Sequence, residues 1–147
     1  MFKRDIRYQG AIVQDDHILL IRYQPKDGAS FWLFPGGGRE DETEEACVIR
    51  EMFEETHLHV QVERLLCEMP SPHSDGFYKW YKTYLCSPLG GEPRPGHEPE
   101  PGAAGLGDIV EVAWLDLRDE SGWDEAITTD SITYPQLIKV RALLGYA

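Results

Sequence analysis

Apolar positions along the chain follow two different periods. Gly10–Val13 and Ile18–Tyr23 are short, β-rich apolar runs separated by Gln14-Asp15-Asp16-His17, a pattern that predicts a hairpin. Phe31–Phe34 predicts a third short strand, stopped by Pro35 and three glycines. From about Thr43 to Thr56 the spacing becomes helical. His59–Met69, Phe77–Cys86 and Ile109–Leu115 read as further strands. Between the last two, Ser87–Gly107 holds five prolines and six glycines in twenty-one residues, which predicts an irregular, mobile surface loop. Pro135–Leu144 predicts a final helix, with Pro135 in its first turn and Gly145 just past its end. Strands thus flank a central helix and a second helix closes the chain. The class is α+β, a mixed α/β sandwich, with residues 1–147 read as a single domain.

The central helix has an unusual distribution of charge. At about 100° per residue with Glu51 at zero, Glu44, Glu54 and Glu55 fall within about 60° of it, while Ala46, Ile49, Met52 and Phe53 fall between about 100° and 220°. The expectation is an apolar face packed on the sheet and an acid face turned outward. Such a face is costly as plain structure. Glu51 repels Glu54 and Glu55 at i,i+3 and i,i+4 by about 0.2–0.5 kcal/mol each. The helix dipole disfavours anions near its C-terminus by a further 0.3–1 kcal/mol or so. Arg50 is the sole nearby cation. A hard dication such as Mg²⁺ resolves the conflict, because it takes carboxylate oxygens and shares them with substrate phosphates.

Composition narrows the partners. Fourteen basic against twenty-six acidic residues give a formal charge of −12, which repels nucleic-acid backbones and anionic lipid surfaces. Cys47, Cys67 and Cys86 are odd in number and widely spaced, consistent with reduced thiols rather than a disulfide framework or metal knuckle. The opening residues lack the apolar core of a secretory signal, and no run of about 18 apolar residues is present. A cytoplasmic location is expected, with no membrane partner and no nucleic acid.

Residues 36–58 combine the glycines, the acid helix and the single arginine at fixed spacing. They resemble the Nudix box, G-x5-E-x7-R-E-U-x-E-E-x-G-U, where U is bulky and apolar. Gly36, Glu42, Arg50, Glu51, Met52, Glu54, Glu55 and Leu58 match, and His57 stands in place of the usual Gly. That glycine lies just past the helix in a left-handed conformation, which His tolerates at an expected cost of about 1 kcal/mol. Asp41 also stands where a Gly often precedes the first box Glu, and Pro-Gly-Gly lies one residue closer to Glu42 than is common.

The resemblance implies an α/β/α sandwich and a Mg²⁺- or Mn²⁺-dependent hydrolase that cleaves the diphosphate linkage of a nucleoside diphosphate derivative, ADP-ribose-like or a nucleoside triphosphate. It implies metal binding by Gly36, Glu51, Glu54 and Glu55, with Glu111 as a candidate loop ligand three residues before Trp114. Glu54, Glu51 and Arg50 are implied as catalytic, Arg50 orienting a glutamate, and Glu42 as support for the helix start. Glu98, Glu100 and Asp108 are further acidic candidates. Gly37, Arg22 and Trp80 are candidates for substrate binding, with Arg4 and Arg7 as other phosphate contacts. Tyr78, Trp80, Lys82 and Tyr84 alternate along one predicted strand face that suits a stacked base. Met69-Pro70-Ser71-Pro72 lies near a proline diagnostic of ADP-ribose pyrophosphatases. A homodimer is expected from many relatives. Two other readings are a catalytically silent Nudix-fold nucleotide sensor or regulator, and an acidic interaction domain.

Overall fold

The computed structural model describes residues 5–73, 77–97 and 107–146. Seven strands and three helices alternate along them: β1 (Ile6–Gln14), β2 (His17–Pro25), β3 (Phe31–Leu33), β4 (Gly36–Gly37), α1 (Glu44–Thr56), β5 (His59–Pro70), β6 (Trp80–Gly90), β7 (Gly107–Asp116), α2 (Glu125–Thr128) and α3 (Thr133–Leu143). A 3-10 turn, Glu120–Gly122, precedes α2. The β1–β2 hairpin forms, and Asp15 and Asp16 both take positive φ, 52° and 65°, as its tight turn requires. The two strands stay paired only at Val13↔Ile18 and Gln14↔His17. They then diverge. β1 runs parallel to β6 from Ile6↔Trp80 to Ile12↔Cys86, with β5 antiparallel beyond β6. β2 pairs with β3 and with β7. The sheet is therefore mixed, with the order β3-β2-β1-β6-β5.

Alternation along β1 explains why both faces of the sheet carry helices. Tyr8 and Ile12 join the cluster under α1 with Leu19, Cys47, Val48 and Met52. Ala11 joins the opposite cluster, where Leu137 and Val140 of α3 and Ile127 of α2 pack with Ile18, Leu20 and Phe34. A strand covered on both faces reads as a continuous apolar run, as Gly10–Val13 does. The α/β/α arrangement and the helix at about 43–56 agree with expectation, as does the C-terminal helix with Gly145 at φ +90° beyond it.

The side of α1 that is buried differs from the wheel reading. Cys47, Val48, Glu51, Met52, Glu55 and Thr56 are buried, whereas Ile49 and Phe53 are 41% and 43% exposed and Ala46 is exposed. The acid face is not turned outward. Two of its carboxylates lie inside, where the Gly36 amide of β4 meets Glu55 and the Arg50 guanidinium meets Glu51. Phe53 instead stacks on His59, ring centroids 4.6 Å apart.

Two strand boundaries also differ. Pairing with β5 carries β6 through Ser87, Pro88 and Gly90, so the first residues of the expected loop are strand. Phe77–Lys79 lie before β6, and Tyr78 leaves the strand face assigned to it. Gly36–Gly37, read only as part of the stop after the third strand, form a short strand against Tyr8 and Gln9.

Both close approaches to β1 depend on glycine. A Cβ on Gly10 would lie 2.5 Å from Met52 Sδ, and one on Gly36 would lie 2.4 Å from the Tyr8 carbonyl oxygen. The first neighbour is a flexible side chain and the second is backbone. Gly10→Ala is expected to cost about 1–3 kcal/mol, the usual range for overpacking, and Gly36→Ala more. Urea unfolding of both variants checks this order, and equal losses would show that β4 yields as readily as a methionine.

Candidate active site

The site is built where β4 meets α1. Thr43 caps the helix, its Oγ1 accepting from Ala46 N at 3.1 Å. The rise of one helical turn then stacks Arg50, Glu51, Glu54 and Glu55 beside the glycines. The Arg50 guanidinium is the hub. Nε and Nη2 donate to Glu42 at 3.0 and 2.6 Å, and Nη1 donates to Glu51 at 3.1 Å and Glu54 at 2.9 Å. Nη2 also reaches the Gly38 carbonyl at 3.3 Å. Glu55 turns to the strand instead and accepts the Gly36 amide at 2.7 Å. Glu51 is wholly buried and Glu55 is 1% exposed, while the Glu54 side chain keeps 24% of its surface open.

The electrostatics follow from that hub. Hydrogen bonding to Arg50 holds the Glu42 carboxyl below the usual carboxylate range, against the opposing effect of burial. The same bond, with the charges of Glu51 and Glu54, holds Arg50 more firmly protonated than usual. One cation is thus shared among three anions. Among the described residues, no three Asp, Glu, His or Cys side chains converge on a common cation position. The chemistry of the donor set does fit a hard dication: three carboxylates within two turns of one helix, two of them buried, one of them in direct contact with the backbone of Gly36.

The other candidates lie apart from this hub. Arg22 and Glu111 face each other across the β2–β7 ladder and form a 3.2 Å ion pair, and the Arg22 guanidinium lies 5.8 Å from the Trp32 ring centroid. A register shift between Arg22 and Tyr23 bulges the ladder there. Asp108 pairs with Gln24 on the same ladder. Trp80 is 47% exposed and lines a surface cavity of about 250 Å³ with Ile6, Glu68 and Lys82. Lys82 is paired with Glu44 at 3.1 Å and Glu68 at 3.2 Å. The Tyr84 hydroxyl donates to Glu44, and burial together with that carboxylate pushes the phenol up. Gly37 pairs with Tyr8. Arg4, Glu98 and Glu100 lie outside the described residues.

Two features escaped the sequence reading. One is a cavity of about 240 Å³ lined by Arg7, Gln9, Phe31, Tyr78, Tyr81 and Gln136, among others. At its floor Gln9 Nε2 donates to Thr83 Oγ1 and to Gln136 Oε1, both at 2.9 Å. The available signal was the alternation of polar Arg7 and Gln9 just before the apolar run Gly10–Val13. The other is the segment Gly91–His97, expected to be mobile, which docks on the end of α1. Arg94 N donates to Thr56 O at 3.0 Å, Gly96 N to Glu55 O at 2.9 Å and His97 N to Glu54 O at 3.0 Å. His57 takes the expected left-handed conformation, φ 65°, and its Nδ1 lies 3.2 Å from the Arg94 carbonyl.

Comparison with known proteins agrees with this geometry. The family model described as the NUDIX domain matches residues 6–134. The chain belongs to the Nudix family. It is 30% identical over 128 residues to a MutT-like protein of Streptomyces ambofaciens, which covers 77% of this chain and 76% of that protein. The crystal structure of a MutT Nudix hydrolase from Burkholderia pseudomallei superposes with a TM-score of 0.68 at 26% identity, over 94% of this chain and 96% of that one. An ADP-ribose pyrophosphatase from Streptococcus suis superposes with a TM-score of 0.66 at 25% identity, over 97% and 93%. The Nudix fold and a pyrophosphohydrolase class of enzyme are therefore shown, and the reading as an acidic interaction domain falls. Among the described residues no helix is long and apolar enough to cross a membrane.

The Arg50 hub makes a pH-dependent prediction. A carboxyl whose folded value is lowered stabilises the fold above its ordinary range, and loses that contribution as pH falls through the lowered value. Arg50→Gln is expected to cost about 1–3 kcal/mol near pH 7, with the deficit shrinking below about pH 4. Urea unfolding of both proteins from pH 7 to pH 3 measures this. A deficit that does not change with pH would place the loss in packing.

Proposed function

We propose that this Nudix enzyme hydrolyses the diphosphate linkage of a nucleoside diphosphate derivative with the help of Mg²⁺ or Mn²⁺. The observation that carries the reading is the gathering of Glu51, Glu54, Glu55 and Arg50 on one stretch of α1 beside Gly36. In this reading Glu51, Glu54, Glu55 and the backbone at Gly36 hold the dication, with Glu111 joining if its ion pair with Arg22 opens. A bound ion would offset the negative charge of protein and diphosphate and would make water a better nucleophile.

The chain's own residues divide the remaining work. Glu54 is the most accessible of the three glutamates assigned to the dication, which suits it to accept a proton from water. Arg50 keeps Glu51 and Glu54 oriented through charge-assisted hydrogen bonds, and Glu42 anchors Arg50 from the other side. Arg22, Gly37 and Trp80 are assigned to the substrate. The cavity lined by Arg7, Gln9, Tyr78 and Tyr81 offers aromatic walls over a polar floor, chemistry that suits a heterocyclic ring. It adjoins the glycine strand, since Arg7 Nη2 donates at 2.9 Å to the carbonyl of Phe34, two residues before Gly36. The structural likeness to an ADP-ribose pyrophosphatase and to a MutT Nudix hydrolase supports a substrate of this class.

A panel of nucleoside triphosphates and diphosphate sugars, with and without Mg²⁺ or Mn²⁺, tests the reading. Turnover is expected only with the ion, and Glu54→Gln is expected to lose about 10²-fold or more in kcat. Equal turnover by the variant would remove Glu54 from the chemistry. Arg22→Ala is expected to raise KM about tenfold with little change in kcat, the pattern of lost uniform binding.

A further inference from the structure

We propose that the strap Gly91–His97 is a positioning element for the metal-binding glutamates, and that Gly96 is its decisive residue. The proposal rests on the assignment of Glu54 and Glu55 to a dication. A helix end leaves its last carbonyls without partners inside the helix, and its partial negative charge opposes carboxylates placed there. In this chain Glu54 and Glu55 stand in that last turn. The strap supplies three amide donors in succession, from Arg94, Gly96 and His97, to the carbonyls of Thr56, Glu55 and Glu54. Two of those carbonyls belong to the glutamates themselves. The strap therefore offsets the unfavourable end of the helix and fixes the backbone from which both side chains project.

The contact is too close for any side chain at its centre. A Cβ on Gly96 would fall 1.8 Å from the Glu54 carbonyl oxygen and 2.9 Å from the Glu55 carbonyl carbon, both backbone atoms. The other end of the strap is equally tight. Gly91 has φ +97°, and a Cβ there would fall 2.6 Å from the His57 carbonyl oxygen. His57 adds a side-chain contact, Nδ1 lying 3.2 Å from the Arg94 carbonyl. The residue that departs from the Nudix pattern thus touches the strap rather than the carboxylates. Adding one methyl at Gly96 must push the strap away from α1 or shift the turn that carries Glu54 and Glu55. A displacement of about 1 Å at reacting groups lowers rates by up to about 10².

Gly96→Ala is the test, with Gly90→Ala as control, because a Cβ on Gly90 meets nothing within 4 Å. Circular dichroism establishes that each variant is folded. Mn²⁺ affinity is then read by electron paramagnetic resonance without substrate, and kcat and KM are measured separately. Gly96→Ala is expected to bind Mn²⁺ about tenfold more weakly and to lose about tenfold or more in kcat with KM nearly unchanged, while Gly90→Ala matches the unaltered protein. If Gly96→Ala does not fold, Arg94→Pro is compared with Arg94→Ala, which loses the same side chain but keeps the outermost amide donor; Arg94→Pro is expected to weaken Mn²⁺ binding in the same direction and Arg94→Ala is not. A folded Gly96→Ala with unaltered Mn²⁺ affinity and kcat overturns the strap's role and leaves the functional reading standing. No Mn²⁺ binding by the unaltered protein overturns that reading, and this proposal with it.

Discussion

Everything at the site depends on one guanidinium. Glu51 is wholly buried, and a buried carboxylate is tolerated only where charge and hydrogen bonds compensate it. Arg50 does this while binding Glu42 through two nitrogens and Glu54 through a third contact. Its position is fixed in turn by the helix that presents it and by the Gly38 carbonyl in the loop before that helix. The loop, the helix start and the acid cluster are therefore one electrostatic unit rather than three features. Because arginine stays charged under all ordinary conditions and presents a planar fork, lysine would not replace it here.

Much of this was legible in the sequence, and the reasons are physical. The spacing of Gly36, Glu42, Arg50, Glu51, Glu54 and Glu55 encodes a strand-to-helix junction in which charge must be compensated, and the structure brings those residues together. Strands and the two long helices showed through their periods, and His57 took the left-handed backbone foreseen for its position. What failed was the assumption that charge means solvent. A helical wheel ranks faces by polarity, and it placed Ile49 and Phe53 inside and Glu51 and Glu55 outside. The wheel has no knowledge of the glycine strand whose amide meets Glu55 at 2.7 Å.

The Gly/Pro-rich stretch failed for a related reason. Its composition does exclude a helix, and Gly91–His97 has no regular structure. Irregular is not the same as mobile, however. Three backbone amides of that segment are committed to α1, and its glycines serve close contact and, at Gly91, a positive φ. The Gln9–Gln136 contact was invisible for a different reason: it joins residues 127 positions apart, and no local pattern encodes such a meeting.

The parallel pairing of β1 with β6 sets the order in which these parts can assemble. Ile6 meets Trp80, and everything that builds the site lies in the stretch between them or just beyond it. A chain emerging from the ribosome can close the β1–β2 hairpin early, but it has no partner for the far edge of β1 until residue 80 and its successors have emerged. Long-range closures of this kind are slow steps in folding. The glutamates of α1 are thus synthesised well before the strand that completes their sheet, and the chain acquires its chemistry late, when its first strand is joined by one of its last.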